Sequence, residues 1–361
     1  MYAMQRQPAA ATPYARPSPL SNRTHALATV PADSVASSLR RPQYMVQQLE
    51  HLAGRSLLTL SDFQSDEIRS LLTLAHLARA DRHAGVTHQR FLGRSLAMLY
   101  EKRSTRTRSA FETAFGEEGG HAVFMTPEDI HLGAKESLAD TARVLGRMFD
   151  AIQFRGFKQE TAEELARHSG VPVYNGLTDS RHPTQVLADL MTLEAHFHRL
   201  EGLTLAYVGD SRNNIACSLM IGCALMGVNY ISVGPPQLAP DPTLLARCQA
   251  DAAAVGSTVG AATDVANVRG ADAVYTDVWV SMGEESEEEA RLDLLRPYQV
   301  DTSLMRSTGN ADTVFMHDLP AVKGNEVTEE VFESAASLVW EQAENRKHTA
   351  KALMLATLGL G

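Results

Sequence analysis

The stretch Glu101-Lys-Arg-Ser-Thr-Arg-Thr-Arg-Ser-Ala-Phe-Glu112 joins two segments with different hydrophobic patterns. The apolar segment 95–100 before it is short enough for a buried strand, and 109–115 has the pattern of a helix start. A strand that leads into a helix presents free backbone N–H groups and the positive end of the helix dipole. Three hydroxyl and two guanidinium groups within 104–108 add donors that suit a phosphate. The pattern predicts an anion site here; the alternative is a capped, solvated basic turn.

Segments typical of strands and of helices alternate from Leu52 to the C-terminus. The predicted strands are 56–60, 95–100, 122–124, 151–154, 171–174, 203–208, 230–233, 271–276 and 313–316. The predicted helices are 61–80 (with Ser61 and Gln64 as a capping box), 109–115, 138–149, 160–168, 182–198, 215–226, 243–255, 284–295 and 342–358. Such alternation indicates parallel α/β units, and 361 residues exceed one typical domain. We therefore predict two α/β domains, each built on a parallel sheet.

The composition is ordinary for a soluble globular protein, with 44% hydrophobic and 21% charged residues. A formal net charge of -10 argues against a nucleic acid or an anionic membrane as partner. The three cysteines, Cys217, Cys223 and Cys248, form no CxxC and no zinc-site spacing, which suits a reducing compartment. No apolar run approaches the ~20 residues of a membrane span.

Residues 1–50 differ from the rest of the chain. The first 48 residues are rich in Ala, Pro, Ser and Arg, and Asp33 is their only acidic residue. This composition predicts a disordered extension. It also fits an organelle transit peptide or a start codon placed too early, so we expect a cytoplasmic protein with a mitochondrial location as the alternative.

Four further stretches follow predicted strands, where α/β proteins bind ligands. They are Ile130-His-Leu-Gly-Ala-Lys-Glu-Ser137, Phe154-Arg-Gly156, Asn175-Gly-Leu-Thr178 with His182-Pro-Thr-Gln185, and the pair Asp277-Val-Trp-Val-Ser-Met-Gly283 and His317-Asp-Leu-Pro320. Each is a weak signal by itself. Together with Ser104-Thr-Arg-Thr-Arg108 and Glu344-Asn-Arg346, their order resembles the aspartate/ornithine carbamoyltransferase family from Leu52 to the end. The Ser-Met-Gly motif is typical of the ornithine branch and is absent from the aspartate-using relatives.

The resemblance implies a carbamoyl phosphate site. The matching positions are Ser104, Thr105, Arg106, Thr107, His131, Arg155, His182, Gln185, Leu319 and Arg346. The first four would hold the phosphate, Arg155 would span the phosphate and the carbonyl oxygen, and His182 would stabilise charge on that oxygen. Gln185 and the backbone carbonyl of Leu319 would hold the NH2 group, and Arg346 would close the site. Without the family match, these residue types more often cap helices or lie on the surface.

The same resemblance implies an amino-acid site and an assembly. Asn214, Asp277, Ser281 and Met282 match the ornithine-binding positions, although Asp277 and Asn214 alone could be a solvated carboxylate and a helix cap. His131 matches a residue that reaches into the neighbouring subunit's site, which implies a homotrimer or a multiple of it. Residues 51–188 with 342–361 would form the carbamoyl phosphate domain, and 189–341 the ornithine domain, joined by interdomain helices.

One position departs from the family pattern, because His-Cys-Leu-Pro reads His317-Asp-Leu-Pro320 here. The attacking amine must be neutral, whereas a carboxylate beside it favours the ammonium form. Asp318 could accept the proton during attack, could bind a differently shaped cation, or could point away. The residues leave these three alternatives open, and we count Asp318 with Arg155 and His182 as candidate catalytic residues.

The implied reaction is transfer of the carbamoyl group of carbamoyl phosphate to the side-chain amine of L-ornithine, as in arginine metabolism. It gives L-citrulline and phosphate and requires no metal or organic cofactor, because phosphate is already a competent leaving group. Alternatives are the same reaction on another diamine or diamino acid, a non-catalytic paralogue, and a dinucleotide-dependent enzyme. The last rests on Val208-Gly-Asp210, which lacks the full GxGxxG pattern. Closure of the two domains is expected to exclude water.

Overall fold

The computed structural model describes residues 49–130, 136–280, 286 and 288–360, which form two parallel β-sheets and their flanking helices. The strands are β1 (Ser95–Tyr100), β2 (His121–Met125), β3 (Ala151–Arg155), β4 (Val173–Leu177), β5 (Thr204–Val208), β6 (Asn229–Val233), β7 (Val259–Ala262), β8 (Ala273–Tyr275) and β9 (Val314–Met316). The helices are α1 (Ser65–His83), α2 (Arg106–Gly116), α3 (Leu138–Met148), α4 (Gln159–Ser169), α5 (Pro183–Phe197), α6 (Asn214–Met226), α7 (Pro242–Ala254), α8 (Glu288–Leu295), α9 (Thr302–Ser307), α10 (Glu329–Phe332) and α11 (Val339–Thr357). The predicted α/β class with two parallel sheets is confirmed.

The first sheet has the strand order β2-β1-β3-β4, with every pair parallel. The register of β1 and β3 ends with Tyr100 opposite Arg155. The turn after β1 therefore leaves the sheet beside Arg155. Parallel pairing thus brings two sequence-distant candidate segments to one edge.

The second sheet has the order β7-β6-β5-β8-β9 and is also parallel throughout. Tyr275 of β8 pairs with Met316 of β9 at their carboxyl ends. Asp277 and Asp318 lie two residues beyond these partners, so the register places the two carboxylates at neighbouring positions.

Each sheet with its flanking helices forms one lobe, and two helices connect the two lobes. Helix α5 packs against β4 and also against α6 of the second lobe, and residues 186–193 are buried all around it. Helix α11 packs against α1, α2 and α5 and also contacts β9. A helix that is buried on all sides belongs in the interior between layers. These contacts confirm the predicted interdomain helices.

Several predicted elements differ from the structure. Segment 56–60 is not a strand, because it contributes only an isolated bridge from Leu57 to Tyr174 before a 3-10 turn at Leu60–Asp62. The first long helix begins at Ser65 rather than at 61, and its capping box joins Gln64 and Glu67 rather than Ser61 and Gln64. Strand β7 and helices α9 and α10 were not predicted, because they are short and β7 contains glycine and alanine, which carry little strand signal.

The chain enters the described fold at its N-terminal edge through Leu49, which is buried in the core, and a 3-10 turn at Glu50–Leu52. The rest of the predicted extension lies outside the described residues. Among the helices described, none is both long and apolar enough to cross a membrane.

Candidate active site

The turn after β1 leads directly into helix α2, as predicted. Thr105 occupies the N-cap position without a side-chain cap bond, while the Ser104 Oγ accepts a hydrogen bond from the Thr107 N–H at 3.1 Å. Arg108 turns away from this place. Its Nε donates to Glu112 Oε2 at 3.2 Å, and its guanidinium carbon lies 3.7 Å from the Phe124 ring centroid. Only one of the two guanidinium groups expected at the anion site, that of Arg106, therefore belongs to it.

The hydroxyl of Thr107 is a meeting point for two arginines. Its Oγ1 accepts a hydrogen bond from Arg155 Nη1 at 3.3 Å and another from Arg346 Nη2. Arg346 Nη2 also lies 3.5 Å from His182 Nε2. With two bonds accepted, the Thr107 O–H proton remains available to an anion. We call Arg106, Arg155, Arg346, Thr107 and His182 the cationic cluster.

Burial shapes the charges of this cluster. Burial, followed by the charge of Arg346, lowers the pKa of Arg155 to about 10, and burial lowers the pKa of Arg346 to about 10. Both groups stay cationic near neutral pH. The Nε atoms of Arg106 and Arg155 are buried and have no hydrogen-bond partner in the part of the chain that the structure describes. Buried donors of this kind favour an anion as their missing partner.

His182 is held at the N-cap of α5, immediately before Pro183. Its backbone N–H donates to Ser218 Oγ at 2.8 Å, and its Nδ1 lies 3.4 Å from Thr184 Oγ1. Burial, and then the positive charges of Arg346 and Arg155, hold the pKa of His182 well below its usual value. The ring is therefore neutral at working pH, which suits a hydrogen-bond donor rather than a second charge.

A buried network orients Gln185. The amide Nε2 of Gln185 donates to Asp189 Oδ1 at 2.8 Å, and Gln342 Nε2 donates to the same oxygen at 2.9 Å. Because the carboxylate takes the NH2 end, the carbonyl oxygen of Gln185 is the free end, and it has no partner within the described ranges. Burial raises the pKa of Asp189 to about 7. Sequence reasoning missed Asp189, although a carboxylate within the apolar run 186–193 was a signal.

The carbonyl of Leu319 accepts a hydrogen bond from Arg106 Nη2 and so ties the second lobe to the anion site. Leu319 has a positive φ of 65°, which side chains rarely adopt. The conformation is held by its N–H, which donates to His317 Nδ1 at 2.9 Å, while His317 Nε2 lies 3.3 Å from the buried Glu326 Oε1. No motif in the sequence pointed to Glu326.

The second lobe contributes a carboxylate pair, Asp277 and Asp318. One oxygen of each, together with one nitrogen of His317, lies within 4.8 Å of the others. Asp277 accepts hydrogen bonds from its neighbour's N–H (Val278, 2.7 Å) and from Asn213 Nδ2 at 3.1 Å. Burial, and then the negative charge of Asp318, raises the pKa of Asp277 well above its usual value. Such a pair is suited to a cationic ligand.

The structure describes only some of the residues that are predicted to bind the amino acid. Asn214 is the first residue of α6 and is half-buried, and its neighbour Asn213, which was not predicted, makes the contact to Asp277. His131, Ser281 and Met282 lie outside the described residues and stay predictions. Of the other predicted residues, Thr107 contacts Arg155 and Arg346, Arg346 also contacts His182, and Arg106 contacts Leu319.

The fold and candidate site define a two-lobed α/β protein in which a buried cationic cluster lies close to a carboxylate pair. Family models match both lobes: residues 55–195 match "Aspartate/ornithine carbamoyltransferase, carbamoyl-P binding domain", and 201–357 match "Aspartate/ornithine carbamoyltransferase, Asp/Orn binding domain". The chain belongs to the aspartate/ornithine carbamoyltransferase family.

Named relatives agree with this assignment. The ornithine carbamoyltransferase of Thermotoga petrophila is 59% identical over 309 residues, which cover 85% of this chain and 99% of the relative. The catabolic ornithine carbamoyltransferase of Clostridium perfringens is 48% identical over 86% of this chain and 99% of the relative. Among solved structures, ornithine carbamoyltransferase from Pyrococcus furiosus is 42% identical with a TM-score of 0.83, covering 85% of this chain and 98% of that one.

Proposed function

We propose that this protein transfers the carbamoyl group of carbamoyl phosphate to the side-chain amine of L-ornithine, giving L-citrulline and phosphate. The observation that carries the proposal is the cationic cluster, with its unpartnered guanidinium donors, next to the carboxylate pair. A dianionic phosphate matches the cluster, and a diamino acid matches the pair. The names of the relatives point to ornithine, and the description of the matched N-terminal domain points to carbamoyl phosphate.

The phosphate of the donor would lie at the start of α2. Ser104, Thr105, Thr107 and the guanidinium of Arg106 would bind its oxygens, and Arg155 and Arg346 would approach from the other side, where both already converge on Thr107. The helix dipole and three guanidinium groups stabilise the dianion, and they stabilise it further as it becomes the leaving group.

The carbamoyl group would lie between the cluster and Leu319. Neutral His182 and Arg155 would donate to the carbonyl oxygen, where negative charge develops during attack. The unpartnered carbonyl oxygen of Gln185 and the carbonyl of Leu319 would accept the two N–H bonds of the carbamoyl NH2. This arrangement fixes the face of the carbonyl carbon that the amine meets.

The acceptor would enter from the second lobe. Asp277 would bind the α-ammonium group, and Asn214, Ser281 and Met282 would complete the amino-acid site. The neutral δ-nitrogen attacks the carbonyl carbon, the bond from that carbon to the phosphate oxygen breaks, and the nitrogen gives up one proton. Asp318, the neighbour of Asp277, would accept that proton.

The proposal includes an organisation of the chain. Residues 51–188 with 342–361 would form the carbamoyl phosphate domain and 189–341 the ornithine domain, in line with the packing of α11 on α1 and α2. His131 would complete a neighbouring subunit's site in a homotrimer or a multiple of it. We place the protein in the cytoplasm.

The test is an acceptor panel with the purified full chain. Carbamoyl phosphate is supplied with ornithine, lysine, putrescine or diaminopropionate, and the carbamoylated product is measured against a control without acceptor. Citrulline is expected as the main product, and its absence with folded protein would overturn the proposal. Asp318→Cys, run in the same panel, reports what the carboxylate adds to the choice of acceptor.

A matched pair of variants links the activity to the site. Arg106→Gln is expected to abolish citrulline formation, because it removes a donor of the phosphate site. Arg108→Gln on the same turn is expected to retain it, because Arg108 faces Glu112 and Phe124. Equal losses in both variants would show that the turn matters only for folding.

A further inference from the structure

Three side chains with metal-ligand chemistry meet away from the carbamoyl phosphate site. His83 is the last residue of α1, and Glu344 and His348 lie one turn apart on α11. His83 Nε2 lies 2.8 Å from Glu344 Oε1, and His348 Nε2 lies 3.2 Å from the same oxygen. The two imidazole rings are 6.3 Å apart at 88° to each other. We call these three residues the His83 triad.

The ligand set and spacing suit zinc. Zinc in proteins binds imidazole nitrogen and carboxylate oxygen, and two His with one Glu plus water is a common set. Bonds of about 2.0–2.2 Å in a tetrahedron put ligand atoms roughly 3.3–3.5 Å apart. The three ligand atoms here already lie within 4.8 Å of one another. The His83 ring is more than half exposed, so it can rotate to close the remaining distance.

The buried member of the triad is not fully satisfied without a ligand. His348 is 1% exposed, and its Nδ1 has no hydrogen-bond partner in the residues that the structure covers. Its Nε2 must share one carboxylate oxygen with a second imidazole. A carboxylate oxygen can accept from both rings, but the unpartnered Nδ1 leaves part of the desolvation cost of buried His348 without compensation. Coordination to a cation would give both rings a stronger partner.

The cations around the triad already have carboxylate partners. Lys351 lies 3.3 Å from both Glu117 and Glu118, and Lys347 pairs with Glu117, which Arg82 also contacts. Arg79 is the cation nearest the triad carboxylate in the contacts described, with its Nε 3.9 Å from Glu344 Oε1. That separation is too long for a hydrogen bond, so zinc can displace the Arg79 side chain from Glu344.

We propose that His83, Glu344 and His348 bind a zinc ion that clamps the end of α1 to α11. Helix α11 also carries Gln342, which donates to Asp189, and Arg346 of the cationic cluster. Zinc would therefore stabilise the position of the helix that supplies two groups to the anion site. The inference stands on the triad alone and does not depend on the reaction that the site catalyses.

The experiment measures zinc binding to chelator-treated full-length protein by equilibrium dialysis and the melting temperature with and without zinc. One zinc per chain and a rise in Tm of several degrees are expected. His83→Ala should lose both, whereas His196→Ala, which removes an exposed histidine elsewhere, should retain both. Cobalt should give tetrahedral d–d absorption in the parent protein and in His196→Ala, but not in His83→Ala.

The carboxylate pair with His317 is the other group of potential ligands in the described chain, so Asp318→Asn is the second arm. Zinc uptake lost in His83→Ala and retained in Asp318→Asn supports the proposal. Uptake lost only in Asp318→Asn, equal uptake in the parent and His83→Ala, or no uptake by the parent would each overturn it. The metal-free Tm of His83→Ala, expected to match that of the parent, separates lost ligation from lost folding.

Discussion

Arg155 and Arg346, from strand β3 and helix α11, both donate to the hydroxyl oxygen of Thr107. Two guanidinium groups this close repel each other, and burial strengthens the repulsion. A bound anion would reduce this repulsion and lower the free energy of the pair. The two arginines therefore favour phosphate binding at the proposed site. The interdomain helix is also part of this arrangement, since Arg346 cannot reach Thr107 unless α11 packs against α2.

Thr107→Val tests the hydroxyl group to which Arg155 and Arg346 both donate. The substitution keeps the side-chain shape and removes both the acceptor for the arginines and the donor for phosphate. A charge-assisted hydrogen bond contributes about 1.5–3 kcal/mol, so the KM for carbamoyl phosphate is expected to rise roughly 10- to 100-fold. Steady-state kinetics at saturating ornithine measure it. Thr113→Val, at an exposed position of the same helix, is the control and should leave KM unchanged.

The sequence predicts this region well because parallel pairing forces strand ends together. Once β1 and β3 are neighbours, the turn after Tyr100 and Arg155 must meet, and the same holds for Asp277 and Asp318. Local patterns could not predict Asn213 or Glu326, whose roles depend on tertiary hydrogen bonds to Asp277 and His317. A carboxylate in an apolar run did mark Asp189, but its bond to Gln342 on α11 could not be predicted from spacing.

The strand predicted at 56–60 failed for a related reason. Its apolar residues pack in the core but do not form a strand of the sheet. Leu57 and Leu60 are fully buried, and the segment forms only one β-bridge. Alternation and burial give the same hydrophobic signal. The prediction that Arg108 contributes to the anion site was wrong for a different reason. Its guanidinium group contacts Glu112 and Phe124 and therefore turns away from that site.

His182→Asn is expected to lower kcat by roughly 10²–10³-fold, because it removes one donor from the oxygen on which charge develops. The KM values should change much less. The pH–rate profile of the parent protein should show no histidine titration near pH 6.5, since burial and the neighbouring arginines hold the pKa of His182 well below that value. An NMR titration of the imidazole C–H resonances measures the pKa directly. A His182 resonance that titrates near pH 6.5 would contradict a neutral donor.

Asp318→Asn is expected to shift the pH dependence of ornithine binding. In the proposed site the α-ammonium group binds ionised Asp277, and the pKa of Asp277 is raised by burial and then by Asp318. Replacing that charge lowers the pKa of Asp277, so the rise in ornithine affinity with pH should occur at lower pH in the variant. The KM for ornithine, measured at intervals from about pH 5.5 to 9, reports the shift. The ionisation of the δ-amine in free ornithine is common to both proteins and cancels in the comparison.

Asp189→Asn is expected to change the pH dependence of stability. Burial raises the pKa of Asp189 to about 7 in the folded protein, from an ordinary carboxylate value in the unfolded chain. Below both pKa values the carboxyl group of residue 189 is protonated in the folded and in the unfolded state. As the pH rises between them, only the unfolded chain releases this proton, so the free energy of unfolding falls by up to about 1.4 kcal/mol per pH unit. Asparagine cannot titrate and keeps the oxygen that Gln185 and Gln342 share. Urea unfolding at pH 5, 6, 7 and 8 should therefore show the parent losing stability relative to the variant up to about pH 7 and little further above it, whereas a constant difference would place the proton elsewhere.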